Sequence, residues 1–241
     1  MNDGIVIIPT YNEIENIESI IRAVFSLNKT FHLLIVDDNS PDKTADKVVE
    51  LQQEFPNSLF LAKRAKKTGL GTAYVHGFKW ALKNHYEYIF EMDADFSHNP
   101  NDLEKLHDCC SKNGADLAIG SRYVTGVNVV NWPLNRVLLS YFASVYVRMV
   151  TGMKIMDTTA GFICYRRAVL EKINLDKIKF IGYAFQIEMK YRAFAKNFNI
   201  QEVPVIFTDR TKGESKMSGS IIKEAVFGVV RLRLLKFINR L

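Results

Sequence analysis

Cysteine is scarce in this chain and poorly spaced for either of its structural uses. The three are Cys109, Cys110 and Cys164. Two are adjacent and none forms a C-x-x-C pair, which excludes a disulfide framework and a cysteine zinc site and fits a reducing compartment. Long apolar runs are also missing. No segment reaches the ~18–20 residues needed to span a bilayer; Val137 to Val147 comes closest and is bounded by Arg136 and Arg148. Ile5-Val6-Ile7-Ile8 enters a strand at once, with no charged leader or cleavage site before it, so no signal peptide is expected. There is no aromatic-and-basic nucleic-acid module, internal repeat or low-complexity tract. These absences leave a soluble or membrane-peripheral protein, expected in the cytoplasm.

What is present is an ordinary globular composition, 48% hydrophobic and 24% charged over 241 residues. That length suffices for one large domain with a substantial core. The net charge of +6 and pI near 9.1 call for an anionic partner. A phosphorylated substrate or an acidic membrane surface fits better than nucleic acid.

The first half alternates strand and helix patterns: strands at Ile5–Ile8, Leu33–Val36, Leu59–Leu61, Tyr86–Met92 and Asp116–Ile119, with helices at Ile14–Leu27, Thr44–Phe55, Thr72–Leu82 and Pro100–Cys110. Such alternation predicts an α/β fold with a mostly parallel sheet and helices on both faces. The second half is less regular. Leu134–Val150 and Ala184–Ala195 read as helices, Gly161–Tyr165 and Ile200–Phe207 as strands, and Ser220–Asn239 as a basic, apolar helix. The expected division is a catalytic domain over 1–217 and a terminal helix over 218–241 that can lie at a membrane interface.

Ligands of parallel sheets bind beyond the carboxyl ends of the strands, and three strand ends carry polar signals. Pro9-Thr10-Tyr11-Asn12-Glu13 follows the first strand, where Asn12 or Thr10 is placed to cap a helix. An aromatic and a carboxylate there also suit a base and a ribose. Asp37-Asp38 ends the second; either acid is able to accept from a nucleobase or ribose, and Asp38 to Asp42 also reads as a plain turn. Asp93-Ala94-Asp95 ends the fourth, before the structure-breaking Phe96-Ser97-His98-Asn99-Pro100. Paired carboxylates at such a point suit Mg²⁺ or Mn²⁺ shared with a diphosphate, because such ions take one or two carboxylates plus phosphate oxygens. Gly69-Leu70-Gly71 lacks a full phosphate-loop pattern and reads as a tight turn.

These segments, in this order, together with Gly120-Ser121-Arg122-Tyr123, Asp157-Thr158-Thr159-Ala160-Gly161-Phe162 and Asp209-Arg210…Gly213-Glu214-Ser215-Lys216, resemble the inverting family-2 glycosyltransferases. Within these they resemble the dolichol-phosphate (polyprenol-phosphate) mannosyltransferases of the type without transmembrane helices. The resemblance implies a GT-A fold and transfer of mannose from GDP-mannose to a polyprenyl phosphate. It implies that Pro9, Tyr11, Glu13, Val36 and Asp38 contact the nucleoside, and that Asp93, Ala94 and Asp95 contact the diphosphate and a Mg²⁺ or Mn²⁺ ion. Arg122, Arg210 and Lys216 join the donor site, the last two from a polar loop placed to close over the diphosphate. Where some relatives carry a glutamine metal contact, this chain has Ser97. Two other readings remain: a glucosyltransferase using UDP-glucose, and a non-catalytic nucleotide-sugar-binding subunit that recruits a membrane partner.

A phosphate acceptor is already ionised near neutral pH and needs cations rather than a general base. On the Leu134–Val150 helix, Arg136 and Ser140 share a face, placing them on the acceptor phosphate; with Asp95 and Arg122 they form the expected catalytic set. The other side carries Leu138, Tyr141, Phe142, Val145, Tyr146 and Met149, an arc that suits either lipid or a core. Gln186 and Glu188 are weaker candidates for sugar hydroxyls, Glu188 being equally suited to a salt bridge with Lys190 or Arg192. On the terminal helix, Arg233, Lys236 and Arg240 form a stripe suited to anionic headgroups. The expected partners are thus a nucleotide sugar, a polyprenyl phosphate, a membrane surface, and either a small anchoring subunit or a second copy.

Overall fold

The computed structural model describes residues 3–182, 184–209 and 219–237. Its elements run β1 (Gly4–Thr10), α1 (Ile17–Phe25), β2 (His32–Asp37), α2 (Thr44–Leu51), β3 (Leu59–Lys63), α3 (Leu70–Lys83), β4 (Tyr88–Glu91), α4 (Asp102–Ser111) and β5 (Leu117–Ser121). Then follow β6 (Val129–Val130), α5 (Leu134–Thr151), β7 (Ile163–Arg166), α6 (Arg167–Lys172), α7 (Ala184–Ala195), β8 (Ile200–Pro204), β9 (Phe207–Thr208) and α8 (Gly219–Phe237). Seven strands form one sheet in the order β3-β2-β1-β4-β7-β5-β8, parallel except for β7. This is the mixed, mostly parallel sheet expected from the alternation.

Strand alternation builds a core on each face. Ile5 and Ile7 of β1 and Leu34 and Val36 of β2 join Tyr74, Phe78 and Phe185 on one side. Val6, Ile8, Leu33 and Ile35 join Ile17, Ile21, Val24 and Leu103 on the other. The three cysteines are buried and unbridged. Among the described residues no helix is long and apolar enough to cross a membrane.

Three local expectations are corrected. The first helix begins at Ile17 rather than Ile14 and neither Asn12 nor Thr10 caps it, because residues 13–16 form a turn closed by the Asn16 and Ile17 amides on the Glu13 carbonyl. The strand expected over Ile200–Phe207 is two. Pro204, lacking an N–H, ends β8, and the chain crosses to pair β9 with β6, a two-residue strand with no periodicity to read. The terminal helix is turned the other way from a headgroup-facing stripe. Arg233 donates to the Thr151 carbonyl at 3.1 Å and Lys236 lies over the Phe194 ring, while Val226, Val230 and Leu234 are exposed. Arg240 lies outside the described residues.

Of the tight turn expected over Gly69-Leu70-Gly71, only Gly69 lies outside a helix: it precedes α3, whose first residues are Leu70 and Gly71. Gly69 has φ of +110°, open to glycine without strain. A Cβ on Gly71 would sit 2.7 Å from the Phe180 carbonyl and 2.7 Å from the Phe185 ring. Gly71→Ala is therefore expected to destabilise the fold by ~1–3 kcal/mol, read as a lower urea midpoint with unchanged slope.

Candidate active site

Parallel pairing brings the three polar strand ends together. Thr10 is in register with Asp37, and Ile7 with Glu91, so the segments after β1, β2 and β4 leave the same edge of the sheet side by side. Asp37 is bound into that edge: its carboxylate accepts from Thr10 Oγ1 at 2.9 Å, Ser40 N at 2.9 Å and Ser40 Oγ at 2.6 Å. Asp42 accepts from the Thr44 amide and hydroxyl and from the Ile14 amide, which pins the turn after β1 to the start of α2. Asp38 instead pairs with Arg64 at 3.0 Å; burial pushes its carboxyl above the usual range, opposed by the Arg64 guanidinium. Tyr11 and Glu13 are half-buried on this turn, with Lys67 Nζ 4.2 Å from the Tyr11 ring centre. The Val36 side chain lies wholly in the core, and Pro9 is half-buried beside it on β1.

Asp93 and Asp95 are half-buried on the loop after β4, with Ala94 tucked into the core between them. Tyr74 donates to Asp93 Oδ1 at 3.3 Å, and the Ser97 amide donates to Asp95 Oδ1 at 3.0 Å. His98 supports the loop from beneath, stacked on Phe162 at 4.8 Å and accepting from the Asp93 amide at Nδ1. Burial pushes its imidazole down to about 4, so it is neutral at physiological pH. Among the described residues no group of three or more His, Cys, Asp or Glu side chains is placed to hold a metal ion by itself. The donor set nevertheless fits a hard cation completed by phosphate oxygens. Two carboxylates share this loop, and the buried Ser97 Oγ has no hydrogen-bond partner among the described residues.

A cavity of about 320 Å³ opens beside this loop. Its lining is polar at Asp93, Ser97, Arg122, Arg136 and Ser140 and apolar at Leu139, Phe142, Tyr146, Val147, Ile187 and Val226. Arg122, at the end of β5, is clamped by the fully buried Asp157. The carboxylate accepts from the Arg122 amide at 3.0 Å, Nε at 2.7 Å and Nη2 at 2.6 Å, and Nη2 also reaches Thr159. Burial pushes the Asp157 carboxyl up, but the Arg122 guanidinium outweighs it and holds the group below its usual range. Arg136 donates from Nη1 to both oxygens of Asp209, and Ser140 follows it one turn along α5 on the same wall.

Beneath the cavity lies a buried ionic cluster. Glu91 accepts from Tyr165 Oη at 2.9 Å and from Gln186 Nε2; burial pushes its carboxyl up to about 7 against those hydrogen bonds and the charge of Lys190. Lys190 donates to the Ala160 and Gln186 carbonyls and is pushed down to about 8 by burial, opposed by Glu91 and Asp157. Gln186 also forms part of the cavity wall. Glu188 does not reach the cavity. It accepts from Arg192 and from the Lys179 and Phe180 amides, so it is the salt bridge rather than a sugar contact.

Arg210 and Lys216 lie outside the described residues. Sequence reasoning missed four groups. Arg64 and Lys67 stand in a basic run whose spacing compels no role; their position after β3, the fourth adjacent parallel strand, was the available signal. Asp157 and Asp209 stood inside recognised motifs, but no spacing connects them to arginines 35 and 73 residues away.

The chain matches glycosyl transferase family 2 over residues 5–174 and belongs to that family; it is a glycosyltransferase. It is 49% identical over 225 residues to the polyprenol monophosphomannose synthase of Mycolicibacterium smegmatis, covering 93% of this chain and 84% of that protein. Identity is 44% over 225 residues to the undecaprenyl-phosphate mannosyltransferase of Micrococcus luteus, covering 93% and 91%. With the dolichol-phosphate mannosyltransferase of Pyrococcus furiosus it is 39% over 233 residues, 94% of this chain but 62% of that protein. Among solved structures, glucosyl-3-phosphoglycerate synthase from Mycobacterium tuberculosis, crystallised with Mn²⁺, UDP-glucose and phosphoglyceric acid, superposes with a TM-score of 0.67 at 15% identity, covering 98% of this chain and 79% of that one. S. aureus TarS gives 0.64 at 19%, covering 99% and 66%. The fold is the expected GT-A arrangement.

Removing one partner of a buried ion pair leaves the other charge uncompensated. Asp157→Ala is expected to cost ~3–5 kcal/mol in urea denaturation. The double variant Arg122→Met/Asp157→Leu should recover most of that stability while remaining inactive.

Proposed function

We propose that this glycosyltransferase moves mannose from GDP-mannose to a polyprenyl phosphate, with inversion at the sugar. The observation that carries the reading is the make-up of the cavity: two arginines, a largely apolar lining, and among the described lining residues no group placed to act as general base. Among its described lining residues the titratable side chains besides the arginines are Asp93, His98 and Tyr146. Asp93 belongs to the metal–diphosphate loop in this reading, His98 is neutral with Nδ1 committed to the Asp93 amide, and Tyr146 donates its hydroxyl to the Val226 carbonyl. A sugar or alcohol hydroxyl would need a base. A phosphate monoester does not, because its second pKa is about 6. An ionised headgroup on an apolar tail matches both parts of that lining. The three relatives, each named for synthesis of a prenyl phosphomannose or for mannosyl transfer to a prenyl phosphate, support mannose and the lipid class; guanine is what the motif resemblance implies.

In this reading Tyr11, Glu13 and Asp38 receive the nucleoside at the ends of β1 and β2, with main-chain groups of Pro9 and Val36 beside them. Asp93 and Asp95, aided by Ser97 Oγ, would hold a Mg²⁺ or Mn²⁺ ion, which would supply positive charge to offset that of the leaving diphosphate. Arg122 stands between the two substrates, and Arg136 with Ser140 holds the acceptor phosphate. Arg210 and Lys216 complete the donor clamp.

The reading also supports a membrane-surface location on the cytoplasmic side. Leu134, Phe142 and Met149 of α5 are 71%, 61% and 74% exposed, and Phe227 and Leu234 of α8 are 74% and 60%. Phe142 also lines the cavity, so a lipid tail leaving it meets this outer face.

Purified protein given a short polyprenyl phosphate and Mg²⁺ is expected to transfer from radiolabelled GDP-mannose and not from UDP-glucose; the reverse preference would overturn the donor. Asp95→Ala should cut turnover at least ~100-fold. Arg136→Ala should raise the acceptor KM ~10–100-fold with the GDP-mannose KM kept, and a collapse of donor affinity instead would move Arg136 to the other substrate. Phe142→Glu/Phe227→Glu should reduce binding to anionic liposomes severalfold in flotation; equal flotation would remove the membrane face. Point variants serve better than deleting α8, because Val229 and Leu232 are part of the core.

A further inference from the structure

We propose that Asp209 and Trp132 are positioning residues that set the Arg136 guanidinium with one edge presented to the acceptor phosphate. This rests on the acceptor reading above. A guanidinium has two edges where a pair of N–H groups can meet an oxyanion: Nη1 with Nη2, and Nε with Nη2. Arg136 Nη1 donates to Asp209 Oδ1 at 2.8 Å and Oδ2 at 2.9 Å. The guanidinium carbon lies 4.1 Å from the centre of the Trp132 ring. The carboxylate fixes the rotation of the group and the indole fixes its plane. Among the described residues nothing bonds Nε or Nη2 of Arg136, and the side chain remains 24% exposed.

The contrast with Arg122 gives this arrangement its meaning. Asp157 takes both Nε and Nη2 of Arg122, closing the edge that Asp209 leaves open on Arg136. Of the two cavity arginines, Arg136 is therefore the one prepared for bidentate phosphate binding. The small β6–β9 sheet is explained by the same requirement. It pairs Val129 with Phe207 and Val130 with Thr208, and the Asp209 amide continues the ladder onto the Val130 carbonyl at 3.0 Å. Asp209 thus leaves one strand and Trp132 follows the other, and both meet Arg136. Holding the guanidinium in advance spares the acceptor the entropy of ordering a long side chain.

The same contact admits an opposite role, in which Asp209 competes with phosphate for Arg136, and the two differ in sign. The test is steady-state transfer to a short polyprenyl phosphate at saturating donor, with the donor KM measured in parallel. Positioning predicts that Asp209→Ala raises the acceptor KM ~10-fold, with kcat and the donor KM changed less than ~2-fold. Asp209→Asn should fall between wild type and Asp209→Ala. Trp132→Leu should behave like Asp209→Ala, and Trp132→Phe, which keeps a stacking face, should stay near wild type. If Asp209 acts on the acceptor through Arg136, Asp209→Ala/Arg136→Ala should be no worse than Arg136→Ala alone. A lowered or unchanged acceptor KM in Asp209→Ala, or additive effects in the double variant, overturns the proposal. If Arg136→Ala alone leaves the acceptor KM unchanged, the acceptor reading falls and takes this proposal with it. A folding defect is recognised by a parallel rise in the donor KM and a lowered melting temperature, and in that case Asp209→Asn and Trp132→Phe against Trp132→Leu decide the matter.

Discussion

The polar lining of the cavity depends on the Asp157 carboxylate. It lies on the chain between α5 and β7, and its own amide and that of Met156 are held by Glu202 on β8 at 2.9 and 2.7 Å. Its oxygens in turn clamp the amide and guanidinium of Arg122 at the end of β5. Three separated stretches of sequence are therefore joined through one buried acid. An ion pair of this kind adds little stability over a well-packed apolar substitute, because desolvation offsets the Coulombic attraction. Its value lies in geometry: a buried arginine with its fork occupied has one place to be.

The acids at the strand ends follow a repeated pattern. The last residue of β2 and the last of β4 are both acids, Asp37 and Glu91, and both are bound into the fold. The next acids outward, Asp38 and Asp93, sit one and two residues beyond the strand ends on the ligand side of the sheet. The inner acid fixes the backbone that carries the outer one. The inner acids have firm partners, Thr10 and Ser40 for one and Tyr165 and Gln186 for the other. A pair of neighbouring acids at a strand end thus has two different functions, and the order along the chain says which is which.

That distinction marks how far the sequence could be read. The alternation of β1 to β5 with α1 to α4 is a local signal, so the parallel sheet and its ligand edge were visible. The apolar arc of α5 was visible only in part, because Phe142 and Tyr146, read as its opposite side, line the same cavity as Arg136 and Ser140. Whether Asp37 or Asp38 faced inward was not, because it depends on Thr10 and Ser40 arriving across a strand pair and a turn. The pairings of Arg122 with Asp157 and Arg136 with Asp209 were hidden for the same reason: ion pairs between distant residues leave no periodicity. β6, two residues long, exists through its partner β9. The terminal helix was misjudged in orientation, since Arg233 and Lys236 satisfy a carbonyl and an aromatic ring inside the fold and leave the apolar residues outward. Amphipathic spacing identified the two faces but not which faced the protein.

Along α5 the proposed acceptor chemistry is written into a single stripe. Arg136, Ser140, Ala143 and Val147 all line the cavity, at the spacing that keeps successive residues on one helical face. The stripe begins with a cation and a hydroxyl and ends with apolar side chains, over a rise of roughly 16 Å at 1.5 Å per residue. A molecule bound along it must change from anion to hydrocarbon in the same direction, as a phosphate monoester of a long prenyl alcohol does. A free sugar phosphate would satisfy the first turn and leave the remainder unmatched; a neutral lipid would leave Arg136 without an anion. On the proposed reading the polarity gradient along one helix discriminates at both ends of the acceptor, and the attacking atom is a non-bridging phosphate oxygen at the cationic end.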